Sequence, residues 1–175
     1  MDEWEGLVRI ALAAGLGAAI GFERETLNKS AGLRTHMLVT MGSAMFMVVA
    51  ILLTAQYSGD EPTQFVDPSR IGSTIVTGVG FLGGGIIFRG HDRVKGLTTA
   101  AGLWTCAAIG MACGSGYYIT AVGGTLLTLI VLAAVLSLQH RLDLKRSRSI
   151  HRDTGVLPGP SGKRSAGNTP AEPRE

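Results

Sequence analysis

Gly78-Val79-Gly80-Phe81-Leu82-Gly83-Gly84-Gly85-Ile86-Ile87-Phe88-Arg89 is the stretch whose reading decides the fold. Five of the eight residues from Gly78 to Gly85 are glycine, inside an apolar segment that begins at Ile71. In a helix in water each such glycine costs about 0.5–1 kcal/mol relative to alanine. Three readings compete: a phosphate-cradling loop, a broken helix lining a site, and a membrane helix packed closely on its neighbours. The flanking sequence has to choose among them.

Outward from this stretch, charge is scarce and unevenly placed. Only 17% of the 175 residues are charged, against about 25% in ordinary globular proteins. No Asp, Glu, Lys or Arg falls between Met37 and Tyr57, between Ile71 and Phe88, or between Gly96 and His140. Uncharged apolar windows of about 20 residues mark transmembrane helices, and a soluble core helix would keep a polar face. The expected fold is an all-α, polytopic transmembrane helical bundle. The N-terminal Asp2-Glu3-Trp4-Glu5 is acidic where a signal peptide would be basic, so the first span reads as retained. Cys106 and Cys113 sit seven residues apart in one apolar segment. On a helix that is about 10.5 Å, too far for a bridge, and small buried thiols are expected.

Five spans are expected, over about 6–22, 37–55, 71–88, 97–113 and 117–138, making a transmembrane domain over 1–140. In the first, Ala14, Gly17, Ala18 and Gly21 form a small face that lets another backbone approach, and Arg9 reads as snorkelling toward headgroups. The second, rich in Met, Val, Leu and Ile, reads as lipid-facing. Lys and Arg gather in the first loop (Arg24, Lys29, Arg34), the third (Arg89, Arg93, Lys95) and after the last span, whereas the second loop has only Arg70. Positive charge marks the cytoplasmic side. The expected orientation is therefore N-terminus outside and C-terminus cytoplasmic. Residues 141–175, basic and Pro/Gly-rich, read as a disordered cytoplasmic tail.

Gly78 to Gly83 matches G-x-G-x-x-G, but a dinucleotide site needs a preceding strand and an acidic residue about 20 positions on. Thr-Ala-Ala-Gly stands there instead, and no Walker lysine follows, so no cofactor is expected. Helix packing through Gly78, Gly80, Gly83, Gly84 and Gly85 accounts for the stretch better. Ser73, Thr77, Gly80 and Gly84 make one small face, and Ala101, Thr105, Ala108 and Ala112 of the fourth span offer a match. A locally unwound helix whose carbonyls line a polar cavity stays open as the alternative.

Glu23, Arg24, Arg34, His36, Arg89, Thr98 and Thr99 gather on the expected cytoplasmic face. Thr98 or Thr99 would cap the fourth helix, whose N-terminal dipole favours anions. Such a cluster suits a phosphate headgroup, a nucleotide or a protein partner, or simply topology and interfacial ion pairs. On the outer face Asp67-Pro68-Ser69, beside Arg70, reads as a helix start with a carboxylate cap and proline at the first helical position. No carboxylate, Asn or Gln lies inside any of the five spans, so the oxygen-rich ligand set of a Mg²⁺ conduit is not visible and a metal site is left open. No nucleophile–base constellation appears, and an enzyme is not expected.

The runs Gly21-Phe22-Glu23-Arg24-Glu25, Ala31-Gly32-Leu33-Arg34-Thr35-His36, Asp67-Pro68-Ser69-Arg70-Ile71, and Gly78 through Arg89 continuing from Val94-Lys95-Gly96-Leu97-Thr98-Thr99 to Trp104 resemble the MgtC/SapB family over about Leu7 to Leu138. The resemblance implies a bacterial inner-membrane protein linked to growth at low magnesium and, in some pathogens, to survival inside macrophages. It implies a regulator or accessory more than a demonstrated Mg²⁺ transporter, and an inhibitory partnership with the F-type ATP synthase in virulence-associated members. Those members carry an ACT-type domain after the last span, where this sequence has a short basic tail. The expected partners are membrane lipids, a membrane protein and further copies of the chain, with no nucleic acid. A small ion transporter built on the glycine-rich third span is the alternative function, and a bare oligomerising scaffold is a third.

Overall fold

The computed structural model describes residues 2–57, 67–89 and 93–135, which fall within one compact unit, Met1–Val135. Most of the acidic second loop and the basic tail expected over 141–175 lie outside the described residues. Among the described residues the chain forms five helices: α1 (Glu3–Thr26), α2 (Leu33–Tyr57), α3 (Pro68–Ile86), α4 (Leu97–Gly114) and α5 (Tyr118–Val135). A two-residue antiparallel ribbon, β1 (Phe88–Arg89) with β2 (Val94–Lys95), joins α3 to α4. The chain is an all-α membrane bundle. Helices α1, α2, α4 and α5 are long and apolar enough to cross a bilayer. Helix α3, the expected third span, is not among them.

α1 ends in a Schellman motif, in which the Lys29 N–H donates to the Arg24 carbonyl and the Asn28 N–H to the Glu25 carbonyl, each at 3.0 Å. Asn28 takes the left-handed conformation (φ 51°) that this C-terminal position favours. Glu25 then accepts a 2.7 Å hydrogen bond from the Leu33 N–H, so the end of α1 caps the start of α2. α2 begins earlier than expected, and Arg34, Thr35 and His36 belong to its first turns. Nor is α2 lipid-facing all round. His36, Thr40, Ser43, Ala44, Met47 and Val48 are buried, while Leu38, Met45, Phe46 and Val49 are exposed. One face is clasped by α1 and α4; the other is open.

The clasp is made by glycines. A Cβ at Gly17 would stand 2.5 Å from Thr40 Oγ1 and 2.8 Å from the His36 carbonyl oxygen, and one at Gly21 would stand 2.7 Å from Leu33 Cα. On the other side, a Cβ at Gly110 would collide with the Thr40 carbonyl oxygen and one at Gly114 with that of Ala44. The expected small face of α1 is therefore in use. That of α4 is not the expected one: Ala101 and Ala108 are exposed and Thr105 and Ala112 half-buried, because Gly102, Cys106, Gly110 and Gly114 face inward instead. Cys106 and Cys113 are both buried and unbridged. Around them Ala13, Ile20, Ala44, Ile109, Ala121 and Leu132 draw α1, α2, α4 and α5 into one apolar core.

Arg9 is tied to two partners at this end of the bundle. Its side chain is 12% exposed, with Nη1 donating to the Gly114 carbonyl at 2.8 Å and Nη2 paired to Glu5 at 2.5 Å. A cation on the last carbonyls of α4 satisfies an orphan acceptor and complements the helix dipole. Gly116, in the left-handed region (φ 83°), has its missing Cβ position filled by the Arg9 guanidinium. Arg9→Gln is expected to lower stability by about 2 kcal/mol, the scale of a charged hydrogen bond, read as a lower unfolding midpoint in detergent.

Candidate functional site

The residues expected on the cytoplasmic face divide into an inward group and an outward one. Glu23 and Arg24 end α1, His36 opens α2 and Thr99 opens α4. Arg24 is buried, with Nε and Nη2 both donating to the Glu23 carboxylate, at 2.5 and 2.7 Å. Thr99 is buried and accepts a 3.3 Å hydrogen bond from the Ser30 hydroxyl. His36 is fully buried. Its Nδ1–H donates to the Gly32 carbonyl at 2.9 Å, and Nε2 is buried with no hydrogen-bond partner among the described residues. A Cβ at Gly102 would stand 3.6 Å from that nitrogen. Arg34, Arg89 and Thr98 are exposed and take no part in this group. Neither threonine caps α4: the N-cap is Gly96, held at φ 92° against the Ile86 carbonyl, with no side-chain cap bond.

This inward group is a structural joint. His36 lies where α1, α2 and α4 meet: its carbonyl oxygen would stand 2.8 Å from a Cβ at Gly17 and its Cβ 3.0 Å from one at Gly21, while its ring lies within van der Waals contact of the Gly102 position. Thr40 reinforces the turn by donating to the His36 carbonyl at 2.7 Å. His36→Ala removes the buried imidazole and is expected to destabilise the bundle by about 2–3 kcal/mol, as for other large-to-small buried changes. Thermal unfolding in detergent would measure it.

The glycine stretch is the outward feature. It is not the close-packed centre that its composition suggests. α3 buries only Gly72, Ile75, Val79 and Gly83, a single stripe laid on α4. Ile75 and Val79 pack there with Leu103, Ala107 and Met47, and a Cβ at Gly83 would meet Ala100 at 3.4 Å. The other four members of the expected packing set, Gly78, Gly80, Gly84 and Gly85, have nothing within 4 Å of their Cβ positions. Ser73, Thr77, Gly80 and Gly84 do share one face, but that face is open. Phe81, 83% exposed, stands on the side of α3 away from α4. Nor is the helix unwound: hydrogen-bonded turns run unbroken from Pro68 to Ile86, and Thr77 donates to the Ser73 carbonyl at 3.0 Å. Beside the open face, a groove of about 500 Å³ runs between α2 and α3, lined by Leu38, Gly42, Phe46, Gly78 and Leu82 among others.

At the far end of α3, Asp67 caps the helix as expected. Oδ1 accepts from the Ser69 N–H at 2.9 Å and Oδ2 from the Ser69 hydroxyl at 2.8 Å, with Pro68 opening the first turn. The Ser69 hydroxyl and N–H, with help from the Arg70 charge, hold the Asp67 carboxyl below the usual carboxylate range. Asp67 and Arg70 are both exposed. Among the described residues no group of three His, Cys, Asp or Glu side chains converges as a metal site would require.

Comparison with known proteins adds sequence kinship to this geometry. The model of a family described as "MgtC family" matches residues 10–141. Escherichia coli K12 has a relative named "Putative magnesium transporter YhiD", 46% identical over 143 residues, covering 79% of this chain and 64% of that protein. "Protein MgtC" of Brucella abortus is 42% identical over 133 residues, covering 76% of this chain and 52% of its own length. "Protein SrpB" of Synechococcus elongatus is 39% identical over 168 residues, covering 89% and 90%. The chain thus spans between about half and two thirds of the YhiD and MgtC relatives. No solved structure matches.

Proposed function

The chain belongs to the MgtC family, and on that premise we propose that it is a regulator or accessory protein of magnesium homeostasis, without catalytic activity, that acts by docking α3 against another membrane-embedded helix. The observation that carries this reading is the open face of α3. In a bilayer, lipid tails are as apolar as Leu, so helices associate through close van der Waals contact at small residues. Ser73, Thr77, Gly80 and Gly84 offer such a surface, and nothing in the described fold covers it. A protein neighbour suits its hydroxyls and bare backbone better than lipid does.

In this reading the protein sits in the bacterial inner membrane, N-terminus outside and C-terminus cytoplasmic, as the loop charges favour. The docked helix comes from a second copy or from another membrane protein, for which the F-type ATP synthase is the first candidate. A transporter is the second reading. The Ser73, Thr74 and Thr77 hydroxyls on the exposed side of α3 are its support, since an oligomer could bring them together around a path. Purified protein in liposomes under a Mg²⁺ gradient separates the two. The regulator moves no Mg²⁺ above empty vesicles, while deletion of its gene impairs growth at low magnesium. Protein-dependent Mg²⁺ flux would overturn it in favour of transport.

A further inference from the structure

We infer that the β1–β2 ribbon is a docking surface for anionic phospholipid headgroups. Ile87, Phe88, Val94 and Leu97 are 38, 55, 50 and 57% exposed within eleven residues of chain, and Arg89, Arg93 and Lys95 are exposed among them. The register sets Phe88 opposite Lys95 and Arg89 opposite Val94. Residues opposite one another in a ribbon point to the same side, so each side carries one apolar group and one cation. Water would leave the apolar groups without burial, and hydrocarbon would not accept the cations. The headgroup layer takes both, aromatic and aliphatic groups below and cations above.

Position agrees with composition. α4 is long and apolar enough to cross the bilayer and begins at Leu97, so the ribbon that feeds it lies where hydrocarbon gives way to headgroups. Charge complementarity selects the lipid: three cations stand against one acid, Asp92, over residues 87–97. This surface is independent of the α3 face and of whether the protein regulates or transports.

The test places one indole on the ribbon. The full chain carrying Phe88→Trp, with Trp4→Phe and Trp104→Phe, is reconstituted in phosphatidylcholine vesicles containing dibrominated phosphatidylglycerol or dibrominated phosphatidylcholine. Quenching then reports which lipid occupies the ribbon. The expected result is a preference for phosphatidylglycerol of at least about fivefold, the effect of one Lys or Arg near an anionic surface. Arg89→Gln with Lys95→Gln lowers it, leaving Arg93 alone, and the charge-keeping pair Arg89→Lys with Lys95→Arg retains it. Equal quenching by the two lipids would overturn the inference and leave the ribbon to an acidic protein segment. A preference undiminished in the double glutamine variant would overturn it too, by assigning the selectivity to other cations.

Discussion

Gly110→Ala is expected to destabilise the bundle by about 3 kcal/mol, the upper part of the range for overpacking a filled interior. A single methyl group is enough. Its carbon would stand 2.9 Å from Ser43 Cβ and collide with the Thr40 carbonyl oxygen. Neither neighbour is the loose end of a side chain. Thr40 and Ser43 belong to α2, which is held from behind by Gly17 and Gly21 of α1, so the new methyl can be admitted only by parting two helices. The expected readout is a lower unfolding midpoint in detergent and a reduced yield of folded protein. Gly15→Ala is the control. Nothing lies within 4 Å of its Cβ position, and the exchange should be neutral or stabilising by up to about 1 kcal/mol.

The second large effect concerns assembly rather than folding. Gly80→Leu with Gly84→Leu is expected to leave the midpoint of the isolated protein near that of the parent, because both new side chains enter open space. The same pair should abolish association with the partner helix and growth at low magnesium, since two leucines on adjacent turns hold a facing backbone away. Co-purification from membranes and complementation of a deletion strain measure the two losses. Destabilisation of the isolated protein as large as that expected for Gly110→Ala would mean that the α3 glycines are internal after all.

How much of this was legible in the sequence differs from element to element. Charge-free windows located α2, α3 and the stretch that holds α4 and α5, and Asp67-Pro68 marked the start of α3 because a carboxylate cap followed by proline is a local signal that tertiary contacts need not support. Helix ends were less legible. Charged and polar residues such as Glu23, Arg24 and Arg34 mark the edge of an apolar window, yet α1 and α2 continue through them, with Glu25 bridging the junction. His36 was invisible as a buried group. Only the crossing of three helices removes it from water, and no local pattern encodes that crossing.

The glycines show the limit most clearly. A small-residue face states that a backbone can approach, not which backbone does. α1 and α3 carry similar faces, yet the one with Gly17 and Gly21 is filled by α2 while the one with Gly80 and Gly84 is empty. The inward face of α4 also had a signal, Gly102, Cys106, Gly110 and Gly114 at a uniform spacing of four. The alanines of the opposite side gave an equally regular pattern. Choosing between them required knowing where α2 lies.

That α3 faces another protein is tested most directly by photo-crosslinking in the native membrane. A diazirine amino acid replacing Thr77, which is exposed beside Gly80 and Gly84, reports what lies against that face, with the same group replacing Ile119, 91% exposed on α5, for comparison. Protein adducts from position 77, lost on Gly80→Leu with Gly84→Leu, are the expected result. Lipid adducts alone at position 77, equal to those from position 119, would contradict it.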